Sequence, residues 1–233
     1  MIFPTSFFFS MLYTESLFLF LSIASFYYAI KRHWLLASTL GFFLSLTRCA
    51  GVLMLVPFVI EYFGISLRPL KVSLVKIKKD ILYLLLVPFG LFAYMSYTYF
   101  RFGDAFAFYH SASVWGRKFI SIFSTLSDLS HYSLFYKEIF LGAIILACFL
   151  ILCLFLYSMR SSYGIYSLVY MTAYLSSNVL EGIPRYISAL FPLYIALSLI
   201  CAKNKFLDIL FTLFFVGLLS LFTILFANGY WFT

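Results

Sequence analysis

The chain has 233 residues, of which 64% are hydrophobic, 23% aromatic and only 10% charged, with a mean hydropathy of +1.04. Water-soluble domains carry about 25% charged residues, and a soluble fold of this length could not enclose 31 Phe and 19 Tyr beneath 16 basic and 8 acidic side chains. A soluble domain is excluded, and the net charge of +8 reads as membrane topology rather than nucleic-acid affinity, because no basic patch interleaved with stacking aromatics lies outside the apolar runs.

The first apolar run, residues 7–30, ends at Lys31, Arg32 and His33, as a span delivering its end to the cytoplasm would. It is not a signal peptide: Tyr13, Thr14, Glu15 and Ser16 interrupt it, and its basic residues follow the run instead of preceding it. Residues 34–63 form a second apolar stretch with Thr47, Arg48 and Gly51 at its centre. One span there would put the flanking basic loops on opposite sides. Two short helices turning back at Arg48 to Gly51 keep Lys31 and Arg32 on the same face as Arg68, Lys71, Lys76, Lys78 and Lys79, so a re-entrant or hairpin pair is expected.

Residues 81–99 then cross outward, and residues 101–117 open the longest non-cytoplasmic segment, followed by a weakly amphipathic piece to Lys137. Residues 139–157 return to Arg160, 163–180 go out, EGIPR at 181–185 turns, 186–202 come back to Lys203 and Lys205, and 206–227 form the last span. This last run, FLDILFTLFFVGLLSLFTILFA, has Asp208 as its only charge and is apolar on nearly every side. A β-barrel strand would alternate apolar and polar residues; a helix is what pairs every backbone group of such a run internally. The far side holds Arg101, Arg117, Lys118, Lys137 and Arg185, half as many basic residues as the cytoplasmic face, which supports the orientation. The expected fold is all-α: one polytopic transmembrane helical bundle over residues 1–233. Cys49, Cys148, Cys153 and Cys201 all fall in apolar runs, which is not the pattern of a disulfide or zinc framework; no metal or other cofactor is expected.

Charges at bilayer depth cost about 2.5–3.5 kcal/mol on insertion scales and so mark functional candidates. Glu15 is one; it is also placed where a carboxylate could reach headgroup water. Arg48 is the other. It could form a structural ion pair, bond carbonyls freed at the hairpin turn, or hold a phosphate through its paired N–H donors. On the far side Asp104, His110, Trp115 and Arg117, with Arg185, are the residue types of a sugar-phosphate site and equally ordinary loop residues, with Gly103 serving as a turn. No Walker loop, dinucleotide glycine pattern, HExxH or nucleophile elbow is present.

Four blocks, FPTSFFFSMLYTESLFLFLS, LTRCAGVLMLVP, FGDAFAFYHSASVWGR and IPRYISALFPLYIAL, resemble in order and spacing the PIG-V-like mannosyltransferases. The resemblance implies a GT-C-like integral membrane glycosyltransferase. It would transfer mannose from a polyprenyl (dolichyl) phosphate mannose donor to a lipid-linked or glycolipid acceptor on the non-cytoplasmic side, without nucleotide sugar or tightly bound metal. It implies residence in the plasma membrane of a prokaryote or the endoplasmic reticulum of a eukaryote. Under it, and given the cost of burying a charge, Arg48, with Arg185 as a second candidate, holds the donor phosphate, Asp104, His110 and Trp115 line the sugar or acceptor pocket and Tyr13 with Glu15 orients it; Glu15 or Asp104 is then a neighbour of the base, with Glu15 itself as the fallback base. Family members carry a further N-terminal region with an acidic residue in a Trp-Asp context as base, so the chain is expected to correspond to the C-terminal part of such an enzyme. The alternative is a non-catalytic membrane subunit or lipid carrier on the same scaffold; a transporter is a third, without the paired half-repeats that class shows.

Overall fold

The computed structural model describes residues 3–67, 70–71, 79–114, 116–157, 160–177, 180 and 182–230. Arg68, Lys76, Lys78 and Trp115, named above, lie outside them. The described chain is almost wholly helical; a two-residue antiparallel ladder, Ser66–Leu67 against Leu70–Lys71, is the exception.

The first run is not one helix. A 3₁₀ turn, Ser6–Ser10, precedes a bend, and helix α1 begins only at Glu15 and runs Glu15–Ile30. The polar residues at 13–16 start the helix there, and Thr5 Oγ1 fixes the preceding turn by donating to the Pro184 carbonyl at 2.9 Å. Phe18, Leu21, Ser22, Ser25, Phe26 and Ala29 of α1 are buried, the three- and four-residue spacing of one helix face.

The hairpin is realised. Helix α2, Trp34–Thr47, stops at Arg48, whose backbone is extended; a 3₁₀ turn, Cys49–Met54, and helix α3, Leu55–Phe63, bring the chain back. The return is closed where the stretch began: the Trp34 and Tyr62 rings lie 5.1 Å apart, and Arg32 donates to the Tyr62 carbonyl at 2.9 Å. Gly51 makes the turn possible, because a Cβ there would sit 2.4 Å from the Leu44 carbonyl oxygen.

A 3₁₀ segment, Lys79–Leu85, leads into α4, Leu86–Phe102. It packs on α2 so closely that a Cβ on Gly90 would lie 2.2 Å from the Phe42 carbonyl oxygen. Two short exposed helices follow, α5 at Ala107–Val114 and α6 at Ile122–Ser127, before the long α7, Leu134–Tyr157. Helix α8 is Ser161–Leu175, α9 is Ile183–Ser188, α10 is Phe191–Cys201 and α11 is Lys205–Ala227.

Among the described residues, three helical segments are long and apolar enough to cross a membrane: Lys79–Phe102, Leu134–Tyr157 and Lys205–Ala227. At about 1.5 Å per residue each exceeds the roughly 30 Å of hydrocarbon. Helices α8 and α10 are shorter than the runs 163–180 and 186–202 from which they were expected. Leu190 is extended and Pro192 follows it at the start of α10, so residues 186–202 are divided between two helices. The EGIPR stretch is likewise not a simple turn, since Ile183, Pro184 and Arg185 open α9 with proline in its first turn.

Candidate functional site: a guanidinium and tyrosine cluster

Three elements far apart in sequence meet at the start of α1. Glu15, the first residue of α1, is fully buried. Its Oε1 accepts from Arg48 Nη2, and Arg185 Nε lies 2.8 Å from the same oxygen, with its N–H aimed off the line, so that contact is an ion pair rather than a hydrogen bond. Arg48 Nε also donates to Thr14 Oγ1 at 2.9 Å, which occupies the hydroxyl that would otherwise cap α1. Extended backbone at Arg48, forced by the Gly51 turn, is what directs this side chain toward α1 instead of along α2.

The cluster is floored by aromatic rings. The Arg48 guanidinium lies 5.3 Å from the Tyr186 ring centroid and 6.0 Å from that of Phe18. Arg185 lies 4.8 Å from Tyr13, 5.1 Å from Tyr186 and 5.9 Å from Phe8. A third guanidinium, Arg117, lies 5.7 Å from the Tyr186 ring and donates from Nη1 to its hydroxyl at 2.8 Å. Tyr186 in turn stacks on Tyr174 at 4.0 Å. Ring faces carry negative potential, so one tyrosine holds three cations that would otherwise repel.

The polar accounting does not close. Glu15 Oε2 and Arg48 Nη1 are buried without a hydrogen-bond partner, and so is Arg185 Nε. Each such group costs about 1–3 kcal/mol when left unmet. Arg185 Nε already faces Glu15 Oε1 as an ion pair, so one donor and one acceptor await a group that both accepts and donates, in a place where three guanidiniums outnumber one carboxylate. That is the chemistry of an oxyanion carrying or accompanying a hydroxyl.

Of the residues singled out in the sequence, Tyr13, Glu15, Arg48 and Arg185 come together. Asp104 and His110 pair with each other instead. Asp104 Oδ2 accepts from His110 Nδ1 at 2.6 Å, and its Oδ1 accepts from the Phe106 backbone N–H at 2.9 Å, an aspartate turn following Gly103 with its φ of 74°. The His110 hydrogen bond, with help from Phe106, holds the Asp104 carboxyl below its ordinary value. Their side chains are 36% and 63% exposed, and among the described residues nothing links them to Glu15. Trp115 lies outside the described residues.

Tyr186 and Tyr174 were not foreseen; Arg117 was named with Asp104, His110 and Trp115 as a residue type of a sugar-phosphate site and equally as an ordinary loop residue. Tyr186 follows Arg185 directly, and an aromatic next to an arginine was the available signal. Two apolar cavities lie nearby. One of about 380 Å³ runs between α7 and α11 with Thr5 and Pro184 at one end; the other, about 600 Å³, runs between α1 and α10. Neither is lined by Glu15, Arg48 or Arg185. The chain matches no known protein-family model, no curated protein and no solved structure.

Proposed function

We propose that the chain is a multi-pass membrane protein of the GT-C-like transferase class. In this reading it transfers mannose from a polyprenyl phosphate mannose to a lipid-borne acceptor on the non-cytoplasmic side, as the likeness to PIG-V-like mannosyltransferases implies. The observation that carries the reading is the excess of positive charge where the partly buried Arg48, Arg185 and Arg117 converge on Tyr186 with the buried Glu15 as their one described carboxylate. A phosphate there meets the unsatisfied guanidinium N–H groups, and the donor's hydrocarbon chain follows the α7–α11 cavity, whose Pro184 adjoins Arg185. Glu15, its Oε1 held by two guanidiniums, acts as fixed counter-ion, and its free Oε2 orients a hydroxyl. The acceptor's proton passes to water on the far side.

The test is transfer of mannose from polyprenyl phosphate mannose by the purified chain in proteoliposomes. Removing one preorganised donor from a developing oxyanion costs about 2.7–4 kcal/mol, so Arg48→Ala is expected to lower turnover by about 10²–10³-fold. Unchanged transfer in that variant removes the assignment. Glu15→Gln, assayed at a temperature where the variant is still folded, distinguishes counter-ion from base: loss of all turnover at every pH by the folded variant assigns it the proton.

A second reading, a membrane subunit or lipid carrier without transfer activity, is favoured by one observation: Arg48 is already ion-paired to a buried carboxylate. Absence of turnover together with retained binding of polyprenyl phosphate selects it.

A further inference from the structure

The three guanidiniums around Tyr186 are not equivalent. Arg48 and Arg185 are both ion-paired to Glu15, whereas Arg117, among the described residues, faces no carboxylate and spends its Nη1 on the neutral hydroxyl of Tyr186. Arg117 also sits on a different kind of support. Helix α5 has no buried side chain, Gly116 with φ of 73° turns the chain out of it, and the segment is fixed on the other side by Ile120 N–H donating to the Ser176 carbonyl at 2.8 Å. Its bond to a neutral hydroxyl lacks the attraction between opposite charges that holds Arg48 and Arg185 to Glu15, so Arg117 is the arm that exchanges its partner at the lowest cost.

Charge balance says what it would exchange for. This step rests on the phosphate reading given above. Glu15, Arg48 and Arg185 together leave one positive charge over, which matches a phosphodiester with its single negative charge. When the sugar leaves, the bond between the anomeric carbon and the phosphate oxygen breaks with its electron pair remaining on oxygen. The acceptor oxygen bonds to that carbon and its proton goes to water. The phosphate then carries two negative charges. Adding Arg117 raises the excess of the cluster to two.

We infer that Arg117 is the residue that stabilises the departing phosphate, binding the dianionic monoester in preference to the monoanionic diester. An interaction made only as charge develops accelerates the step without tightening the ground state. Tyr186 is the positioning residue that keeps Arg117 at hand in the meantime.

Cys49 provides a reporter. It is exposed and adjoins Arg48 in the chain. The purified full chain is treated with a water-soluble maleimide at pH 8 in the presence of farnesyl phosphate or its methyl diester, and alkylation at Cys49 is read by peptide mass. The monoester is expected to protect at about tenfold lower concentration than the diester, one extra charge-assisted contact being worth about that factor. Arg117→Ala should bring the two probes level, and Arg117→Lys should restore most of the preference. In the transfer assay Arg117→Ala should lower kcat with little change in KM for the donor. A preference kept in Arg117→Ala, or absent from the unaltered chain, overturns the inference while leaving the phosphate reading of the cluster. Protection of Cys49 by neither probe removes both.

Discussion

Among the described residues two buried carboxylates, Glu15 and Glu61, face arginine, and they are built in opposite ways. Glu61 of α3 has both oxygens met: Oε2 accepts from Arg160 Nη1 at 2.8 Å and Oε1 from Ser162 Oγ at 2.5 Å. One carboxylate faces one guanidinium whose side chain is 42% exposed, so charge and hydrogen bonds both close, and the pair ties the return of the hairpin to the start of α8. Glu15 crowds two guanidiniums onto one oxygen, leaves the other oxygen bare, and sits where a third guanidinium adds to the excess. A closed pair is a staple. An open one, in surroundings that make each unmet group expensive, is a binding site lacking its ligand.

The contrast can be broken most strongly at Glu15. Glu15→Gln leaves two buried guanidiniums uncompensated and is expected to cost about 3–5 kcal/mol. Thermal unfolding in detergent should show it, and phosphate should recover much of the loss by supplying the missing negative charge. Next is Gly51→Ala, which puts a methyl group against the Leu44 carbonyl; overpacking of this kind costs about 1–3 kcal/mol. It should also displace Arg48, so phosphate should no longer raise the melting temperature. Glu61→Gln comes third. It exchanges a charged acceptor for a neutral one, at about 1–2 kcal/mol because Arg160 can turn to solvent, and here phosphate should give no recovery. Equal recovery of the Glu15 and Glu61 variants by phosphate would erase the distinction between staple and site.

The exposed Asp104–His110 pair should show the smallest effect. Its folded carboxyl value is lowered, chiefly by the His110 hydrogen bond. The stabilisation is therefore complete above the ordinary carboxylate value of about 3.9 and is lost as pH falls through the lower folded value. Limited proteolysis of residues 103–117 should accelerate on acidification in the unaltered chain, and Asp104→Asn should remove that pH dependence without altering Cys49 protection by phosphate.

Much of the fold is legible in the residue order. The hairpin at Arg48 to Gly51 follows from charge placement around an apolar stretch, and the three span-length helices follow from apolar runs of sufficient length. What the order hides is where apolar runs break. Residues 7–30 and 186–202 read as continuous because Phe, Leu and Ser suit helix and turn alike; the break after Ser10 is fixed by Thr5 reaching Pro184, a contact across 179 positions. Glu61 passed unnoticed for the same reason, being one acid in an apolar run whose partners lie about a hundred positions away.

The sequence by itself determined the apolar character of the chain and its unusual charges: too few ionisable side chains to cover so many aromatics, and an acid and an arginine set within apolar runs where burying each is costly. Only the tertiary structure decided that Glu15, Arg48 and Arg185 meet, that Arg117 joins them through Tyr186, and that Asp104 and His110 do not. Burial cost is a property of one residue and its neighbours in the chain. Pairing depends on which helix ends converge, and that is set by turns and close backbone contacts such as those at Gly51 and Gly90, which no local pattern encodes.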